Sequence, residues 1–210
     1  LHDGIEVYPG AVDCLAALRA AGKPVCLLSN APRRAREVAA KLRRLGIGDD
    51  LYDHLLTSGE AAWTALSLRT DPAHAALGRR CFPIAAAIDG GIFDGLDLTL
   101  VDQPEAADFA LVTGAESEDA VLEDFTPVLE RCAAARLPLV CANPDLVVTV
   151  GEKLCLCAGM LAAHYETLGG QVIYHGKPHA PVYAECLRLL GRPASARVLG
   201  IGDSLRTDVA

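Results

Sequence analysis

The chain has 210 residues, of which 51% are apolar and only 5% aromatic, and its formal net charge is −8. That length can house two small α/β units, each with its own core, and the acidic balance excludes nucleic acid as a main partner. No run is long and apolar enough to span a bilayer and no signal peptide is visible, so a cytoplasmic protein with no membrane partner is expected.

Pro9-Gly10-Ala11 opens a helical pattern over Val12 to Ala21, with apolar residues at 12, 15, 16 and 18. Pro24 to Leu28 reads as a buried strand, Ser29-Asn30-Ala31-Pro32 as the turn after it, and about Arg33 to Leu45 as a basic amphipathic helix. The basic residues of that helix (Arg33, Arg34, Arg36, Lys41, Arg43 and Arg44) read as a solvated face. His54 to Ser58 is a second strand, followed by a helix from about Glu60. Strands are expected at Cys81–Ala85, Leu98–Val101, Phe109–Val112, Leu139–Ala142 and Val172–Tyr174, with a turn at Asp89-Gly90-Gly91. Helices are expected over about Asp119–Ala135, Ala158–Leu168 and from Pro178 to about Leu190. A last apolar strand, Arg197–Ile201, runs into Gly202-Asp203-Ser204-Leu205-Arg206-Thr207-Asp208. Apolar strands alternating with helices indicate βαβ units and an α/β fold with a parallel sheet.

The eight cysteines (14, 26, 81, 132, 141, 155, 157, 186) show no CxxC spacing, so they read as buried free thiols in a reducing compartment, not a zinc site. Cys155-Leu156-Cys157 falls at the expected start of a helix. The six histidines have no metal-ligand spacing.

Four polar features sit after strands, where ligands of open α/β sheets bind. Ser29-Asn30 offers a hydroxyl and an amide to an oxyanion, or is an ordinary helix cap. Lys177 offers a cation to a phosphate, or is a solvated loop lysine. Asp203 and Asp208 could hold Mg²⁺, or Asp203 caps a helix beginning near Leu205 and Asp208 is solvated on its first turns. Asn143-Pro144-Asp145 is a stiff polar turn. The order hydroxyl-amide, lysine, paired aspartates is far more specific than any one member.

That order resembles the haloacid dehalogenase superfamily, and within it the class IIA branch of NagD-like, pyridoxal-phosphate and phosphoglycolate phosphatases. Leu28-Ser29-Asn30 matches the second motif, Gly176-Lys177-Pro178 the third, and Gly202 to Asp208 the fourth, with Asn143-Pro144-Asp145 and Ala158-Gly159 resembling cap-domain signatures. The resemblance implies a Rossmann-like core (1–58 and 171–210) carrying an inserted α/β cap (59–170). It implies Mg²⁺-dependent hydrolysis of a small phosphorylated metabolite through an aspartyl-phosphate. Ser29, Asn30 and Lys177 would bind phosphate, Asp203 the metal, and Asp208 would support the metal's water shell or Lys177. Asn143, Asp145 and Gly159 would face substrate from the cap.

Leu1-His2-Asp3-Gly4 matches the segment just after the first motif, so the nucleophile is expected upstream of Leu1 and both ends read as cropped. Asp3 itself reads as part of a turn. The segment alone is therefore expected to be inactive, and its parent to be the phosphatase. The alternative is a weakened or inactive relative that binds a phosphorylated ligand or a protein partner. Cap-mediated dimers in the branch make a homodimer one expected assembly.

Overall fold

The computed structural model describes residues 1–84, 91–115, 117–150 and 153–208. The first βαβ unit contains α1 (Ala11–Ala20), β1 (Cys26–Ser29), α2 (Ala35–Arg44) and β2 (His54–Thr57). β1 and β2 pair in parallel, with Ser29 beside Thr57. Leu15 from α1 and Leu42 from α2 close over this pair with Ile47 and Tyr52, forming one small core.

α3 (Ser58–Leu68) starts two residues before the expected Glu60, because Thr57 caps it: the Thr57 hydroxyl accepts from Glu60 N–H at 2.9 Å and donates to the Arg33 carbonyl at 2.6 Å. Arg34 departs from the solvated face expected of the basic run. It is buried, forked onto Glu60 at 2.8 and 2.9 Å, with its guanidinium 3.6 Å from the Trp63 ring centroid. After the short α4 (Pro72–Ala75), β3 (Arg80–Ile84) enters a second sheet with β4 (Thr99–Leu100), β5 (Phe109–Val112), β6 (Leu139–Cys141) and β9 (Val172–Tyr174). The expected turn at Asp89-Gly90 lies outside the described residues, which resume at Gly91.

The second sheet has the order β4-β3-β5-β6-β9, and all four pairings are parallel. Successive side chains of a strand point to opposite faces. Phe109, Leu111 and Val140 therefore pack with Ala62 and Leu66 of α3, while Ala110, Val112, Leu139 and Cys141 pack on the other side. That other side is covered by α5 (Leu122–Ala134) and α6 (Ala158–Thr167), through Leu129, Cys132, Leu161 and Tyr165. Burial on both faces is why these strands read as unbroken apolar runs. β9, just past the expected boundary at 170/171, is an edge strand of this same sheet through its pairing with β6.

Two expectations are corrected. Val147–Val150 (β7) and Lys153–Leu156 (β8) form an antiparallel pair, so Cys155 lies on a strand and only Cys157 stands at the helix start, as the residue capping α6. Val147, Val148 and Leu154 are exposed there, which leaves the strands without the buried alternation that marks such elements in a sequence. The expected strand at Arg197–Ile201 is a short 3₁₀ turn over Ser195–Arg197 followed by backbone in no ladder. No described strand lies alongside it, so Leu199 (82% exposed) and Ile201 (78%) are left unburied. Its neighbour in sequence, α7 (Ala180–Leu189), packs against β1. Among the described residues no helix is long and apolar enough to cross a membrane.

Candidate functional site

The carboxyl ends of four parallel strands deliver the polar residues. β1 ends at Ser29 and leads to Asn30, and β2 leads to Ser58. β6 leads to Asn143-Pro144-Asp145, and β9 to His175-Gly176-Lys177. These ends meet. Asn30 Nδ2 donates to Asp145 Oδ1 at 2.8 Å and to the Lys177 carbonyl at 3.0 Å, while its Oδ1 accepts from Lys177 N–H at 2.7 Å. Ser58 Oγ donates to the His175 carbonyl at 2.6 Å. Gly176 sits in the crevice with φ +117°, and a Cβ there would overlap Ser58 Oγ and approach Asn30 Oδ1 to 2.7 Å. Only glycine lets the chain pass at this point.

Lys177 Nζ pairs with Asp208 Oδ1 at 2.5 Å, and the two side chains are 17% and 12% exposed. Asp208 Oδ2 also accepts from Ser204 N–H at 3.0 Å, folding the 204–208 loop back on itself. Burial raises the Asp208 pKa, but the Lys177 hydrogen bond and the Ser204 amide outweigh it, so the carboxyl titrates below its ordinary value. Gly202 packs flat against the Asp208 carboxyl, with no room for a Cβ. Arg206 reaches across to the Pro144 carbonyl at 2.9 Å, and Tyr183 of α7 donates to the Thr207 carbonyl at 2.8 Å.

The structure thus brings together Asn30, Asp145, Lys177 and Asp208, with Ser29 one residue away and Asp203 at the head of the fourth loop. Ser29 Oγ accepts from Ala31 N–H at 3.2 Å, which leaves its hydroxyl proton for another acceptor. Asn30 departs from expectation. Both hydrogens of its amide are already donated, so its side chain has none for a phosphoryl oxygen and instead positions Lys177. Asn143 and Gly159 also differ from substrate-facing residues. Asn143 is 7% exposed and its Oδ1 accepts from Asp145 N–H at 3.0 Å, which shapes the turn. Gly159 lies against the Pro144 and Asp145 carbonyls, donating its N–H to the latter at 3.0 Å. Asp3 is engaged by its own turn, accepting from Ile5 and Glu6 N–H at 2.8 Å each.

The Asp203 side chain is exposed, its backbone N–H donates to the Asp208 carboxylate, and among the described residues no three His, Cys, Asp or Glu side chains that could hold a metal converge. One open carboxylate suits Mg²⁺, which keeps several waters and takes one or two protein carboxylates plus substrate phosphate. The local charges agree. Asp208 pairs with Lys177 and Arg206 reaches the Pro144 carbonyl next to Asp145, so together with Asp203 these five charged residues carry one net negative charge before a cation joins them. The donor set therefore fits a hard divalent cation. Ser58 lies outside the motifs, and Gly176 and Arg206 lie within them but take no role of their own from the resemblance. Ser58 carried the same signal as Ser29, a hydroxyl directly after a buried strand.

Comparison with known proteins supplies the context. Residues 1–88 match the haloacid dehalogenase-like hydrolase family. Human chronophin is 33% identical over 228 residues, covering all of this chain and 73% of the relative. A haloacid dehalogenase-like hydrolase from Brucella suis 1330 superposes with a TM-score of 0.90 at 35% identity, covering 99% of this chain and 76% of the other. A glycerol phosphate phosphatase from Mycobacterium tuberculosis, solved in complex with calcium, gives a TM-score of 0.68 at 25% identity, covering 98% of this chain and 58% of the other.

Proposed function

Because the chain belongs to the haloacid dehalogenase-like hydrolases, in their class IIA branch, we propose that it serves Mg²⁺-dependent hydrolysis of a phosphomonoester on a small metabolite. The observation that carries this reading is the Asp145–Asn30–Lys177–Asp208 chain of contacts at the strand ends, with Asp203 open beside it. Asp203 would hold the Mg²⁺, which supplies charge neutralisation to the phosphoryl oxygens. Lys177 adds a second positive charge on the same oxygens, and Ser29 donates its hydroxyl proton to one of them. Asn30 fixes the Lys177 backbone, and Asp208 fixes its ammonium. Positioning and charge compensation are most of what phosphoryl transfer asks of a protein.

The reading includes an aspartyl-phosphate intermediate, whose nucleophile belongs to the family's first motif; Asp3, tied into its own turn, is not that residue. It also includes a core built from 1–58 and 171–210 and a cap over 59–170, with β9 joining the cap's sheet at the boundary. Cap residues would choose the metabolite, Asp145 through its contact with Asn30. A cytoplasmic homodimer is the proposed setting.

The test is phosphate release from p-nitrophenyl phosphate by the full-length protein, with and without Mg²⁺. Asp203→Asn is expected to lower the Mg²⁺-dependent rate by at least roughly 100-fold. Equal rates in wild type and variant would overturn the assignment. Silence in both, with a phosphorylated metabolite still raising the melting temperature, would mark a binding protein instead.

A further inference from the structure

The sulfurs of Cys26 and Cys186 lie 3.1 Å apart, although 160 residues separate them in sequence. Cys26 opens β1, three residues before Ser29, and Cys186 sits in α7, the helix that begins just past Lys177-Pro178. Neither has a part in the phosphate chemistry above. Both are half-buried and Cys14 is exposed, which departs from the buried thiols expected of all eight, whereas Cys81, Cys132, Cys141, Cys155 and Cys157 are buried. A small oxidant can therefore reach this pair in preference to the core thiols. The separation exceeds a disulfide bond by about 1 Å, a gap that side-chain rotation can close.

The two thiols are not equivalent. The contact with Cys26 and the charge of Lys177 favour the Cys186 thiolate over the opposing effects of burial and Glu185, so Cys186 titrates below an ordinary cysteine. The same contact, with burial, pushes Cys26 up.

We propose that Cys26 and Cys186 form a hydroperoxide-sensitive modification site that closes to an intramolecular disulfide. The Cys186 thiolate attacks a peroxide oxygen. A sulfur–oxygen bond forms, the O–O bond breaks, and the departing hydroxide takes from solvent the proton that Cys186 released on ionising and leaves as water, giving a sulfenic acid. Cys26 then attacks that sulfur. The S–S bond forms, the S–O bond breaks, and the hydroxide takes the Cys26 proton as a second water. The two sulfurs lose two electrons in all and one hydrogen peroxide is reduced to two waters. The bond ties the strand that presents Ser29 to the helix that follows Lys177.

The test uses the whole chain, reduced, exposed to hydrogen peroxide and then digested without reductant. The expected result is a joined pair of peptides containing Cys26 and Cys186, an intact mass lower by two hydrogens, and reversal by dithiothreitol. In Cys26→Ser, Cys186 should accumulate as a sulfenic acid trapped by dimedone. In Cys186→Ser, no intramolecular link to Cys26 should form over the same exposure. Cys26→Ala repeats the first comparison, with circular dichroism checking the fold of each variant. The proposal is overturned if both wild-type cysteines remain alkylatable after peroxide, or if Cys186 passes to sulfinic acid while Cys26 stays reduced. It is equally overturned if the same link forms as readily in guanidinium, where the folded geometry is gone. Every readout is covalent, so the outcome stands apart from whether the protein releases phosphate.

Discussion

Asn30 holds the backbone of Lys177 from both sides, accepting its N–H at 2.7 Å and donating to its carbonyl at 3.0 Å across 147 residues of sequence. The amide acts here as a piece of added strand, fixing where the lysine leaves the chain. Its remaining hydrogen goes to Asp145 at 2.8 Å.

Asn30→Ala should therefore expose two unpaired, partly buried backbone groups, at a cost of about 1–3 kcal/mol. Asn30→Asp keeps an acceptor for the Lys177 N–H but sets a carboxylate against Asp145 and against a carbonyl. At neutral pH it should be at least as destabilising as the alanine. Urea unfolding midpoints of the two variants decide this, and an aspartate variant near wild type would sink the account.

Asp208→Asn removes the carboxylate that pairs with Lys177 and should cost roughly 2 kcal/mol, since neither side chain is well solvated. The sign of the pH effect follows from the lowered Asp208 pKa. The pair's contribution is present above the unfolded value of 3.8 and is lost as pH falls through the lower folded one. Melting curves from pH 7 down to 2 should show the wild type losing an advantage that the variant never had.

Gly176→Ala should be among the most damaging small substitutions in the chain, on the order of 3 kcal/mol or more. Adding Ser58→Ala should recover only part of that, because the φ of +117° and the nearby Asn30 oxygen remain. Full recovery in the double variant, read by thermal melting, would show that steric overlap with Ser58 was the whole effect.

His175 gives the fold a second acid-sensitive element. Burial and the neighbouring His74 push its pKa down to about 4, with Asp71 opposing and His179 adding to the shift. His74 stands between, its Nε2 3.0 Å from His175 Nε2 and its Nδ1 2.6 Å from Asp71 Oδ2. A histidine held neutral in the fold takes up its proton more readily when unfolded. Its contribution is thus complete above pH 6.5 and is lost as pH falls toward 4, by on the order of 3 kcal/mol at most. His175→Gln should flatten the dependence of unfolding free energy on pH across that window. An unchanged slope would assign the acid sensitivity to other groups.

Which of these features a reader could find in the sequence follows from how local their causes are. Phe109–Val112 is legible because both faces of the sheet are covered, which leaves an unbroken apolar run. Thr57 capping α3 is legible in principle, since its partner Glu60 is three residues away. The β7–β8 pair is not, because its exposed valines and leucine break no pattern that burial would impose. Arg197–Ile201 misleads for the opposite reason: its apolar pattern is that of a strand, but pairing, not composition, makes a strand, and no described neighbour supplies it. At the site, Ser29 and Lys177 announce themselves by position after strands, and the two aspartates by their spacing in the Gly202–Asp208 loop. The role of Asn30 does not, because an amide's chemistry depends on which groups face it, and here those come from residues 145 and 177.

β6 and β9 are neighbours, with Cys141 beside Tyr174. The chain reaches Asp145 four residues beyond that rung on one strand and Lys177 three residues beyond it on the other. Both loops start from one fixed step of a ladder and end on the same amide. A one-residue insertion or deletion in either loop alone would pull its end off Asn30 while the other stayed in place. The two lengths are therefore locked to each other, and an exchange of these loops between relatives would have to move them as a pair.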